Sequence, residues 1–96
     1  MFEKKEDKEK DRALAQKTQA LFLRIKPIIA GQLEVDENKV AFDSKIAEDL
    51  AADSLESIEI VMALEEEFNI EILDVEADKM KTIGDIAAYL AVKGIE

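Results

Sequence analysis

A chain of 96 residues has room for one domain with a modest core, and 48% hydrophobic against 38% charged residues is enough apolar material for a globular fold. It contains no cysteine and no histidine. That excludes disulfides, thiolate metal sites, a thiol nucleophile and the usual general base near neutral pH, so triad and zinc catalysis are ruled out and the chain reads as a non-enzyme. With 13 Lys and Arg against 23 Asp and Glu, the net charge of -10 repels nucleic acid and anionic membranes and predicts basic partners. The longest apolar run, Ile86 to Val92, is 7 residues, far short of the ~18 that a membrane span needs. Glu3, Lys4, Lys5 and Glu6 follow directly on Met1 and Phe2, so no secretory segment is expected and a cytoplasmic, monomeric protein is predicted.

Residues 1–13 read as a charged, frayed N-terminal extension and residues 14–96 as the functional domain. Residues 1–33 carry net +3, which leaves -13 on the remainder. The first helix is expected from Leu14, its stripe built by Leu14, Leu21, Ile25, Ile28, Ile29 and Leu33. Pro27 interrupts that stripe, so the helix either kinks or restarts there. The long connection that follows is expected to be ordered, because Val35, Val40, Phe42, Ile46 and Leu50 are spaced to pin it across a small bundle.

The second helix is the clearest. Asp53 and Glu56 fit a capping box, and the helix runs to Phe68. Ile60, Val61, Leu64 and Phe68 form its core side, while Leu55, Ile58 and Met62 make a second apolar line beside Glu59, Glu65 and Glu66. Glu48 to Asp78 holds 12 acidic residues and no Lys or Arg, which suits either a solvated face or a surface for a basic partner. A short helix of about two turns is expected within Asp74 to Met80, and a last helix capped by Thr82 turns Ile83, Ile86, Leu90 and Tyr89 inward, with Gly94 as its stop. The fold class is therefore all-α, a small four-helix bundle of three longer helices and one short one.

Ser54 is the candidate for chemistry. With Asp53 as cap, its hydroxyl stands at the first helical position, not used in capping, beside open amides and the positive end of the helix dipole. A phosphate ester is favoured there, although a serine at a helix start is more often only a helix starter.

The run from Glu48 to Phe68, EDLAADSLESIEIVMALEEEF, closely resembles the signature of the acyl carrier proteins, and the resemblance extends from Leu21 to Lys93. It implies covalent 4'-phosphopantetheine on Ser54, with Asp53 and Leu55 as flanks read by the phosphopantetheinyl transferase. It further implies that Glu56, Glu59, Glu65 and Glu66 meet basic patches of fatty-acid synthesis enzymes, with Ile58 and Met62 as the apolar centre of that surface. An acyl chain held as a thioester would fold back near Ile46, Leu50, Leu64, Ile72 and Met80. The resemblance leaves room for a specialised carrier of polyketide, aminoacyl or lipid A type groups, and a non-carrier acidic adaptor is the reading from another class. Ala51 replaces the family's usual glycine and Leu73 its frequent proline, which puts the local turn and the start of the third helix at issue.

Overall fold

The computed structural model describes residues 5–95. Helix α1 spans Lys5–Leu33, a 3-10 turn follows at Glu37–Lys39, and α2 (Ser54–Phe68), α3 (Asp74–Ala77) and α4 (Ile83–Val92) complete a bundle of three longer helices and one short one. No strand occurs among the described residues; an isolated antiparallel bridge joins Lys45 to Thr82.

Helix α1 starts well before Leu14, where the apolar stripe suggested it would begin. No glycine or proline interrupts Lys5 to Ala13, so nothing local stops the helix. The part of the expected fraying that falls on residues 1–4 lies outside the described residues. At 1.5 Å per residue the helix is roughly 43 Å long, which accounts for most of the molecule's 48 Å long axis. Among the residues of α1 whose burial is described, Leu21, Phe22, Ile25, Ile29 and Ala30 are buried, whereas Leu14 is 40% exposed, contrary to its place in the predicted stripe. Pro27 neither ends nor restarts the helix. It stands on the exposed side, and Leu23, whose carbonyl loses its partner, is on that side too, so water can take the freed acceptor.

The rest of the core comes from Ile60 and Leu64 of α2, from Ile83, Ile86, Ala87, Leu90 and Ala91 of α4, and from the crossover between α1 and α2. In that crossover Val40, Ile46, Leu50 and Ala52 are buried, and Ser44 satisfies itself by accepting from the Ala41 amide at 2.9 Å. Phe42 keeps 41% of its surface, yet it meets Phe22 edge-on at 5.5 Å and covers Gly84 so closely that a Cβ there would lie 2.5 Å from the ring. A side chain at position 84 would therefore force the Phe42 ring to move.

The crossover also closes the start of α4. The amides of Ile83 and Gly84 donate to the carbonyls of Ser44 (3.1 Å) and Phe42 (2.7 Å), and Thr82 Oγ1 accepts from the Asp85 amide at 3.0 Å. A loop that supplies acceptors to a helix start is held in place by the demand of those amides for partners.

Helix α3 is a single turn, shorter than the two turns expected, because the chain tightens behind it: Lys79 and Met80 donate to carbonyls only three residues back. None of its residues is buried. Leu73 precedes it as an extended residue, and since leucine has no capping atom, Glu76 reaches back to the Leu73 amide at 3.1 Å.

Candidate functional site

The site is built around the start of α2. Asp53 is extended, its Oδ1 accepts from the Glu56 amide at 2.8 Å, and Glu56 Oε1 accepts from the Asp53 amide at 3.0 Å, which completes the predicted capping box. The Ser57 amide goes to the Asp53 carbonyl. The amides of Ser54 and Leu55 have no intramolecular acceptor among the described residues. Helix α4 opens with a similar box, but the crossover occupies its first two amides. The start of α2 therefore differs in offering two open donors at a positive helix end, next to the Ser54 hydroxyl, which is exposed and makes no hydrogen bond among the described residues.

The turn leading into this site is strained. Ala51 has φ +58, the left-handed region in which a Cβ is disfavoured, so the residue that departs from the family's glycine adopts the backbone that glycine suits best. From there the Ala52 amide returns to the Ile46 carbonyl, which ties the cap to the crossover.

Ser54 also stands on the rim of a cleft of about 730 Å³ between α2, α3, α4 and the crossover. Its apolar lining includes Ile46, Ile60, Leu64, Ile72, Met80 and Ile86, and its polar lining Ser57, Glu65, Asp74, Asp78 and Lys81. Four of the five residues expected around an acyl chain line it. Leu50 does not: it is buried in the core from its place in the crossover. Ile60 and Ile86 were not foreseen as lining, because which core residues border a cleft depends on how α2 and α4 are apposed.

The second apolar line of α2 is open to solvent, with Leu55 64%, Ile58 55% and Met62 60% exposed. Glu59 and Glu66 are exposed beside it and form no ion pair among the described residues. The other two glutamates assigned to this surface are engaged internally. Glu56 serves the cap, and Glu65, half-buried, accepts from the Ile72 amide at 2.8 Å, which fixes the turn between α2 and α3. Neighbouring Glu67 pairs with Arg24 of α1 at 4.0 Å, and the same guanidinium covers the Phe68 ring at 4.6 Å.

A further cluster joins α3 to α4. The Tyr89 hydroxyl donates to Glu76 Oε1 at 2.8 Å, and Lys93 Nζ lies 3.8 Å from Glu76 Oε2 and 5.4 Å from the Tyr89 ring centre. Burial, and then the bond to the Glu76 carboxylate, push the phenol up to about 12. The bond from Tyr89, followed by that from the Leu73 amide, holds Glu76 below the usual carboxylate value. Helical spacing turns Tyr89 inward, but nothing in the sequence marks its partner 13 residues away.

No group of His, Cys, Asp and Glu suited to a metal ion occurs among the described residues, and no described helix is long and apolar enough to cross a membrane. Comparison with known proteins gives a consistent result. Residues 24–90 match the family described as the phosphopantetheine attachment site. The chain is 49% identical over 75 residues to an acyl carrier protein of Bdellovibrio bacteriovorus, covering 78% of this chain and 96% of that protein. It is 52% identical over 71 residues to an acyl carrier protein of Wolinella succinogenes (74% and 93% covered) and 52% identical over 67 residues to one of Thermosynechococcus vestitus (70% and 83% covered).

Proposed function

Because the chain belongs to the acyl carrier proteins, the family that bears phosphopantetheine, we propose that Ser54 is the attachment residue and that the protein carries acyl groups between the enzymes of fatty-acid synthesis. Its role is that of a carrier and not a catalyst. The observation that carries the reading is the conjunction at one helix end of an exposed, unbonded hydroxyl, two open amides and a cleft of mixed polar and apolar lining.

The residues fit the group. The open Ser54 and Leu55 amides and the α2 dipole favour a phosphodiester at Ser54, worth about 0.3 to 1 kcal/mol at an exposed helix start. The Asp53 and Glu56 box holds that end in shape. When bound, 4'-phosphopantetheine supplies a thiol on which acyl groups are held as thioesters. Ile60, Leu64, Ile72 and Met80 give an apolar chain somewhere to leave water, and a cleft of this size falls within the range of small-molecule sites.

Partner recognition rests on the exposed face of α2. Leu55, Ile58 and Met62 provide the apolar contact, Glu59 and Glu66 the charge toward basic patches of the synthesis enzymes, and Asp53 with Leu55 the flanks met by the phosphopantetheinyl transferase. Glu56 and Glu65 act there mainly by shaping the helix ends. The protein works as a monomer, and it is placed in the cytoplasm with those enzymes.

The test is intact-mass analysis before and after incubation with coenzyme A and a phosphopantetheinyl transferase. The native chain gains one phosphopantetheine and Ser54→Ala gains none. The same gain in Ser54→Ala would move the attachment site, and no gain in either would favour the acidic adaptor.

A further inference from the structure

Helix α3 borders the cleft through Asp74, Ala77 and Asp78, and Met80 follows directly behind it. It is a weakly held wall. A four-residue helix with no buried residue has little hydrophobic attachment, and elements of that kind sit at the low end of local stability. Its tie to α4 is polar: Glu76 accepts from Tyr89 through Oε1 and pairs with Lys93 through Oε2, while Oε1 also takes the Leu73 amide that starts the helix. One carboxylate therefore both starts α3 and fastens it.

We infer that Glu76, held by Tyr89 and Lys93, is the latch that keeps α3 closed over the cleft and so sets how readily an acyl chain enters and leaves it. Glu76 is a positioning residue: it does not line the cleft, and it acts by fixing the short helix that does. The inference rests on the cleft reading given above. The two ends of the latch differ in kind. The bond from Tyr89 is short and partly buried, whereas Lys93 and Glu76 side chains are 44% and 28% exposed at 3.8 Å. Exposed ion pairs contribute little, so the phenol is the part whose loss should release the helix.

Two measurements on Tyr89→Phe, with Glu76→Gln as the conservative variant, test this. Amide hydrogen exchange on the full chain should accelerate roughly fivefold to tenfold at Ala77, Asp78, Lys79 and Met80 in Tyr89→Phe. Amides in the middle of α2 and α4 should stay as in the native protein. Glu76→Gln keeps an oxygen for Leu73 and Tyr89 and should exchange nearly as the native chain does. In the second measurement, native and Tyr89→Phe proteins carrying an octanoyl thioester are treated with hydroxylamine, with octanoyl-pantetheine as the free reference. The native thioester should react several-fold more slowly than the reference, and the Tyr89→Phe thioester should recover much of that difference. Unchanged exchange at 77–80, or acceleration spread equally through α2 and α4, would overturn the latch. So would faster local exchange without any gain in thioester reactivity while the native protein still protects. A native thioester as reactive as the free reference would instead overturn the cleft reading on which the latch depends.

Discussion

Replacing Ala51 by glycine should stabilise the protein, although it deletes a methyl group. At φ +58 the Ala51 Cβ crowds its own backbone, at a cost of roughly 1 to 2 kcal/mol that glycine does not incur. The opposing term is the greater freedom of glycine in the unfolded chain, about 0.4 to 1 kcal/mol. Ala51 is exposed, so no buried contact is lost. Taking the middle of each range leaves a net gain of about 0.8 kcal/mol, which in a domain of this size raises Tm by roughly 3 to 6 °C. The urea midpoint should rise by roughly 0.3 to 0.8 M at unchanged slope. Thermal melts followed by circular dichroism, paired with urea titrations, read both quantities. Ala41→Gly is the control: Ala41 is also exposed in the crossover, but its φ is not positive, so the same substitution there should lower Tm. A fall or no change in Ala51→Gly, or a rise of equal size in Ala41→Gly, would refute the claim that left-handed strain at position 51 is what glycine relieves.

Three other outcomes are expected. Leu64→Ala should cost roughly 2 to 5 kcal/mol because Leu64 is fully buried, whereas Met62→Ala, at a position 60% exposed, should cost less than about 1 kcal/mol while weakening contact with a synthesis enzyme; denaturant melts of the two side by side check the contrast. Glu59→Lys and Glu66→Lys should slow association with a basic ketosynthase surface, and binding of the native chain should weaken as salt rises past ~0.1 M, where the Debye length is about 10 Å; stopped-flow association rates over a salt series measure this. Tyr89 should ionise near 12 rather than at its ordinary value of 10.0, seen as a late rise in phenolate absorbance. Since burial, and then the bond to Glu76, make the folded value the higher one, the stability that depends on the protonated phenol is complete below pH 10.0 and is lost as pH climbs toward 12, a contribution that Tyr89→Phe removes.

How far each feature could be read in advance follows the sequence distance over which it is decided. The Asp53 to Glu56 capping box, the end of α2 at Phe68 and the cap at Thr82 are each decided within about one helical turn, and all are in the structure. The division of α2 into a buried side at Ile60 and Leu64 and an open side at Leu55, Ile58 and Met62 follows from 3.6-residue periodicity, so it too was legible. The resemblance pointed to Ser54 and to an unusual turn at Ala51, and the positive φ at that residue gives the turn its physical meaning.

Tertiary structure alone decided the remainder, because it depends on partners that periodicity cannot pair. Among the residues of α1 whose burial is described, the buried ones begin at Leu21 rather than at Leu14, and periodicity, which is the same at both, does not distinguish them. Gly84 is covered by the ring of Phe42, 42 positions earlier in the chain, and the amides that would have left the start of α4 open are taken by the same crossover. Glu65 and Glu76 look like their acidic neighbours in a run of uniform charge, yet one closes a turn onto Ile72 and the other fastens α3 to Tyr89. The sequence determines that such carboxylates are numerous and that no Lys or Arg interrupts their run; which of them hold the fold is settled by what the folded chain places within hydrogen-bond reach.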